Sequence, residues 1–376
     1  MKTTSFRDTW AEVSLQALAF NVKQFKQHIH KEARFMAVVK ADGYGHGAVE
    51  IAEEALANGA DWLGVAFLDE ALALREAGII APVLILGYTP GYAVHKAIEQ
   101  DITLTVYSQE TIEAIRQAAI TLEKKAKVHI KVDTGMTRIG IRSVEEALEL
   151  CQALDQEEIE VEGIFTHFAE ADNGKSSEYT YQQFERFQQI YQAVEANGYK
   201  IPIKHCCNSA GTIAYTEMHL DMVRVGVSLY GLYPEPHLKG ILPLKQVMSL
   251  KTKPVLIKPV PAGQSISYGR TYTTKEEVKI ATLPIGYADG LSRLLSNQGH
   301  VTIRGKECLI VGRICMDQTM VDVSNIDDVH ENDIVTIFGD PSEGYVSLDI
   351  VAKQMQTIHY ETVCLIGKRV PRKYVR

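Results

Sequence analysis

The sequence predicts an α/β protein: a TIM-type (β/α)8 barrel over residues 1–240, then a mainly β domain over residues 241–376. Three observations carry this. The chain has 376 residues, too many for one compact core. Between residues 35 and 230, short apolar runs alternate with amphipathic segments, as in parallel strands buried on both faces by helical crossovers. Beyond about residue 240 the helical period largely disappears, and Pro243, Pro254, Pro259 and Pro261 mark a change to short β-rich runs.

The first-domain runs are FMAVVK (35–40), WLGVAF (62–67), PVLILG (82–87), ITLTVY (102–107), KVHIKVD (127–133), EGIFTHF (162–168), IKHCCN (203–208) and VRVGVSLYG (223–231). Eight βα units in so short a stretch match the count of a closed barrel. A doubly wound open sheet would carry the same local signals. Ser143 and Glu146 read as a capping box ahead of VEEALELCQAL. The stripe of Phe184, Phe187, Ile190, Tyr191 and Val194 reads as a helix ending at Asn197-Gly198. In the second domain SISYGRTY, VKIATLPIGY, HVTIRG, CLIVGRICMDQTMVDVS and DIVTIFG read as antiparallel strands. TWAEVSL near the N-terminus is a strand that could join either domain.

Composition bounds the function. Hydrophobic residues at 46% and charged residues at 23% are ordinary globular values, and a net charge of −8 disfavours nucleic acid or an anionic membrane as partner. No apolar run reaches 18 residues and the N-terminus has no signal-peptide core, which favours the cytoplasm. Cys151, Cys206, Cys207, Cys308, Cys315 and Cys364 form no CxxC pair or zinc spacing, and read as buried free thiols. The adjacent Cys206 and Cys207 could bond only with strain. No metal site is legible.

In a barrel the chemistry gathers at the C-terminal ends of the strands. The first run ends in Lys40, followed by a glycine-rich turn with Tyr44 and His46. A desolvated lysine there is a nucleophile or a Schiff-base former, though a surface lysine closing a strand would read the same. The fifth run carries Lys131 and Asp133 and leads to Arg138; the sixth ends at His167; the seventh gives His205 and Asn208-Ser209-Ala210-Gly211; the eighth carries Arg224, then Gly226. Ser209 at a helix start is a phosphate cradle or an ordinary serine N-cap. Taken together, a lysine, a phosphate cradle, two arginines, a histidine and a tyrosine suit pyridoxal 5'-phosphate held as a Schiff base.

AVVKADGYGHGA, VDTGMTRIG, THFAEAD, HCCNSAG, MVRVGVSLYG, SISYGRTY, LPIGYADG and GRICMDQTMVDVS together resemble the alanine racemases, over essentially the whole length and in the same order. SYGRTY and GRICMDQ are the most specific of these. The resemblance implies racemisation of alanine by two acid–base groups on opposite faces of the cofactor, Lys40 and Tyr268. It implies that Tyr44, Ser209 and Tyr360 bind the phosphate with the backbone N–H groups of Gly226 and Val227. Arg224 would face the pyridine nitrogen, supported by His205, with His167 nearby. Arg138 and the Met316 backbone would hold the substrate carboxylate, with Asp317 beside it. Tyr268 and Met316 would come from a second subunit, making a homodimer with shared sites. Tyr287, Asp172, Arg293, Arg313 and Ile358 resemble the family's access corridor. The resemblance also implies that Lys131 is carbamylated; a pair with Asp133 is the alternative.

A guanidinium keeps its proton, so a ring nitrogen facing Arg224 stays unprotonated and the cofactor is a weaker electron sink, with little transamination. Barrel-type pyridoxal decarboxylases place an acid at that nitrogen, against Arg224. A single-barrel pyridoxal-phosphate-binding protein would lack the second domain. A racemase of serine or another small amino acid is not separated by sequence, because one hydroxyl changes discrimination by only ~1–3 kcal/mol. Whether D-alanine would serve cell-wall synthesis or catabolism is not encoded in the residues.

Overall fold

A computed structural model describes residues 5–173 and 177–376. The chain folds as two units. One comprises residues 18–43 and 48–244; the other comprises residues 5–17, 44–47 and 245–376.

Strand β1 (Thr9–Ser14) belongs to the second of these units. The first unit holds β2 (Arg34–Val38), β3 (Trp62–Val65), β4 (Val83–Ile85), β5 (Leu104–Val106), β6 (Ala126–Lys131), β7 (Ile159–Phe165), β8 (Ile203–His205) and β9 (Met222–Val225). They form two four-stranded parallel sheets, ordered β4-β3-β2-β9 and β5-β6-β7-β8. The Leu84–Thr103 bridge joins β4 to β5, and Arg224 N–H donating to Cys207 O at 3.1 Å joins the other ends. The eight strands therefore close into the expected barrel. Phe35, Met36, Leu63, Leu84, Ile130 and Val225 are fully buried, which is why the runs lack a polar alternate position.

Seven of the eight strands are shorter than their apolar runs, because the last residues leave the ladder to enter the loops. Ser143 caps the helix Val144–Leu154, its Oγ accepting from Glu146 N–H at 3.2 Å. The Glu146 carboxylate reaches the N–H of Arg142 at 2.7 Å instead of that of Ser143, so the reciprocal half of the box is displaced by one residue. The helix Glu178–Ala196 ends at Asn197 as expected.

The second unit contains β10 (Met248–Thr252), β11 (Leu256–Val260), β12 (Ser265–Ile266), β13 (Tyr272–Thr273), β14 (Val278–Leu283), β15 (His300–Ile303), β16 (Lys306–Leu309), β17 (Thr319–Asp322), β18 (Val335–Phe338) and β19 (Arg372–Val375). A six-stranded sheet runs β16-β15-β18-β10-β1-β19, so TWAEVS joins the β unit, antiparallel to β10 and parallel to β19. Two helices absent from the sequence reading, Leu348–Gln354 and His359–Cys364, interrupt the β pattern.

All six cysteines are free. Four are buried as expected, but Cys315 is half-buried and Cys364 is exposed, because the latter ends a short surface helix. Among the described residues no helix is long and apolar enough to cross a membrane.

Candidate active site

Lys40 follows β2 and opens a turn of left-handed backbone. Ala41, Asp42, Gly43 and Tyr44 have φ of 52°, 54°, 60° and 50°. This conformation costs roughly 1–2 kcal/mol for each residue with a Cβ. Local bonds hold the turn: Gly43 N–H donates to Val39 O at 2.8 Å, Ala41 N–H to Glu70 Oε1 at 2.7 Å, and Ala48 N–H to Asp42 Oδ1 at 2.9 Å. Strain concentrated beside one half-buried lysine is typical of a functional position.

The barrel unit gathers cations around His167. Arg224, Lys131, Arg138 and Lys40 all act on it, and burial first, then these charges, push its pKa well below the usual histidine range. Lys131 is buried, with its ammonium 4.4 Å from the Phe165 ring centre. Burial, Arg224 and Arg138 hold its pKa well below the ordinary lysine value, with Asp133 opposing. Asp133 uses Oδ1 to accept from Gly135 N–H at 3.0 Å and Thr137 N–H at 2.9 Å. No Lys131–Asp133 ion pair is found among the described residues.

Arg224 is buried and held by four acceptors. Nη1 donates to His205 Nδ1 at 2.9 Å; Nη2 is shared among Thr166 O at 2.8 Å, Cys206 O at 3.0 Å and His167 Nδ1 at 3.2 Å. Burial lowers its pKa to about 10, which leaves it cationic at neutral pH. With no carboxylate among the described residues on the guanidinium, its positive charge is available to an anion or a lone pair.

Asn208, not Ser209, caps the helix Ser209–Ala214, accepting from Gly211 N–H at 2.9 Å. Ser209 is thereby released from capping, and its Oγ accepts from Gly226 N–H at 2.9 Å and Ser228 N–H at 3.4 Å. Hydroxyl, helix start and the Gly226-Val227 turn thus lie together. This donor-rich, cationic chemistry fits a phosphate-bearing aldehyde.

In the β unit, Tyr44 and Tyr360 act on one another: burial, then Tyr360 and Cys364, raise the Tyr44 phenol pKa. Tyr44 O and His46 Nδ1 are 2.9 Å apart, and Arg372 Nε donates to Gly45 O at 2.8 Å, fastening this loop beside the helix that carries Tyr360. Tyr268 sits on the turn between β12 and β13 and is 72% exposed; Met316 is 52% exposed. Asp317 accepts from Arg369 Nη2 at 2.7 Å.

Residues 13–234 match the alanine racemase N-terminal domain family, and residues 247–374 match the C-terminal domain family. The chain belongs to the alanine racemase family. It is 69% identical to alanine racemase 1 of Oceanobacillus iheyensis over the full length of both chains. The solved alanine racemase of Clostridium difficile 630 is 43% identical, with a TM-score of 0.94 over 99% of this chain and 97% of that one. That of Bacillus anthracis, solved with bound L-Ala-P, is 40% identical, with a TM-score of 0.92 over 100% and 96%.

Of the corridor residues carried over from the alanine racemase family, Tyr287, Arg293, Arg313 and Ile358 are exposed in the β unit, and Asp172 is half-buried in the barrel unit. Sequence reading missed His129, Thr166 and Arg7. His129 alternates with Lys131 in HIK, so the two-residue strand period could have placed both on one face. Arg7 lies far in sequence from its partner Asp289 and leaves no periodic signal.

Proposed function

We propose that this chain interconverts L- and D-alanine with pyridoxal 5'-phosphate, as a cytoplasmic homodimer that supplies D-alanine for peptidoglycan. The observation that supports the reading is Arg224, a buried guanidinium with histidine and carbonyl partners, which at the cofactor's ring nitrogen would replace the acid a decarboxylase needs. The barrel, expected over residues 1–240, would be formed by residues 18–43 and 48–244 and would bind the cofactor. Residues 241–376 would bring Tyr268 and Met316 to the partner's site, and the exposure of both in the single chain supports this.

When bound, pyridoxal 5'-phosphate would supply an electron sink for the charge left at Cα. Lys40 Nζ takes or returns the Cα proton on one face, and the Tyr268 hydroxyl does so on the other. Arg138 and the Met316 N–H bind the carboxylate, with Asp317 alongside. On the family's pattern Tyr44, Ser209, Tyr360, Gly226 and Val227 would hold the phosphate. Arg224 donates a hydrogen bond without surrendering its proton, which limits charge delocalisation and favours return of the proton to Cα.

Lys131 is proposed to be carbamylated. Its suppressed pKa supplies the neutral amine that adds to CO2, releasing one proton and leaving an anion beside Arg138.

The test is incubation of the holoenzyme with pure L-alanine, then with L-serine and L-lysine, following the D-isomers, with borohydride reduction and peptide mapping. D-alanine formation and cofactor label on Lys40 are expected. Decarboxylation, or label elsewhere, would refute the reading.

A further inference from the structure

The hydrogen-bond chain behind Arg224 extends one residue deeper than its acceptor. His205 Nδ1 accepts from Arg224 Nη1, and His205 Nε2 lies 2.9 Å from His129 Nδ1. Both histidines are fully buried. A guanidinium can only donate, so His205 must offer a lone pair at Nδ1. Neutral His205 then carries its proton on Nε2 and donates it to His129, whose Nδ1 accepts. His129 in turn carries its own proton on Nε2, an atom with no hydrogen-bond partner among the described residues. The reverse direction, or a proton added to either ring, would set a histidine N–H against Arg224. Only one protonation pattern keeps every histidine N–H away from the guanidinium.

We infer that His129 is a positioning residue for the racemase site: by accepting the Nε2 proton of His205, it fixes the tautomer that presents a lone pair to Arg224. The inference rests on Arg224 facing the cofactor ring, and extends that reading to a residue with no contact to the reacting atoms.

The surroundings are shaped for this ring. A Cβ on Gly163 would lie 2.6 Å from both Cε1 and Nδ1 of His129, so β7 can pass only with glycine there. The β6–β7 register shifts between Val128 and His129. Trp62 lies on another side, ring centres 5.5 Å apart, while Phe165 stacks on His205 at 4.8 Å with 10° between the planes. Burial, then Arg224 and Arg34, lowers the His129 pKa to about 3, and no carboxylate opposes them. An apolar side chain would fill this space more cheaply than a ring with an unpaired N–H, so the retained polarity is explained by the acceptor it supplies.

The experiment is nitrogen-15 NMR of histidine-labelled holoenzyme and cofactor-free protein, with kinetics and cofactor absorbance of His129→Phe and His129→Asn. In the unmodified protein both rings must be neutral and protonated on Nε2; any other tautomer overturns the inference. Phe keeps ring volume without the acceptor. His129→Phe should shift the His205 nitrogens, displace the cofactor band and lower kcat about ten- to a hundredfold with KM little changed, the range for losing a residue that orients a site ligand. Asn, with an acceptor oxygen near the Nδ1 position, should restore most of each. Unchanged His205 shifts in His129→Phe would overturn the relay. Shifted His205 nitrogens with an unmoved cofactor band would uphold the relay and refute the placement of Arg224 at the ring.

Discussion

Arg7 grips the fully buried carboxylate of Asp289 with both Nη atoms, each at 2.9 Å. Asp289 Oδ2 also accepts from Gly286 N–H at 3.0 Å. The same turn holds the Met316 loop, through Tyr287 N–H to Cys315 O at 3.0 Å and Ala288 N–H to Met316 O at 3.1 Å. Arg7→Ala leaves this carboxylate with the Gly286 N–H and, as its one cation among the described residues, Arg369, 3.4 Å away. Loss of about 3 kcal/mol is expected by urea denaturation, as for a broken buried ion pair. KM for alanine should rise as the Met316 loop loosens. Arg369→Ala should cost less, because that side chain is half exposed.

Acid should destabilise the protein through its histidines. Burial, helped by His30 and His28 and opposed by the Thr212 carbonyl and Glu217, takes His219 from 6.5 to about 4; His129 falls to about 3, and His167 and His205 also fall. Below 6.5 the unfolded chain binds protons that the native chain refuses, so stability falls as pH decreases. Each group contributes up to ~1.4 kcal/mol per pH unit between its unfolded and folded pKa values. Denaturation midpoints measured from pH 7.5 to 5 should decline steadily below 6.5. A flat profile would contradict the buried neutral assignment.

Lys131 should take up labelled carbon dioxide. A carbamate carbon resonance is expected in enzyme equilibrated with carbon-13 bicarbonate, and should be absent from Lys131→Ala. A free ammonium would refute the modification.

Arg224→Glu should both destabilise and redirect the enzyme. It removes the donor from His205 Nδ1, Thr166 O, Cys206 O and His167 Nδ1, and a loss of several kcal/mol is expected for that many buried acceptors. A carboxylic acid can protonate the ring nitrogen, so pyruvate formed by transamination should increase relative to racemisation. Unchanged partitioning would show that Arg224 does not govern the cofactor.

The barrel was legible because its strands are buried on both faces, which leaves near-continuous apolar runs, and because Lys40, Lys131, His167, His205 and Arg224 all fall at or near their ends. The left-handed turn after Lys40 was not, since Gly43 alone signals it, while Ala41, Asp42 and Tyr44 carry side chains that ordinarily avoid this conformation and Ala41 is tied to Glu70, 29 residues away. Helices Leu348–Gln354 and His359–Cys364 are too short to establish a period, so Tyr360 could be recognised only by resemblance. At Ser209, an Asn-Ser pair offers two capping residues, and the choice of Asn208 is made by side-chain geometry. Cys364 read as buried because a cysteine in a mixed apolar stretch gives no sign of lying on an exposed face.

The central claim is that Lys40 and Tyr268 serve opposite faces of the substrate, and it is tested most directly by solvent exchange. Tyr268→Phe enzyme, loaded with cofactor, is incubated in deuterium oxide separately with L-alanine and D-alanine, and Cα deuterium is measured by proton NMR. Incorporation should persist from one enantiomer and be lost from the other. Equal retention, or parallel loss from both, would contradict the two-base assignment.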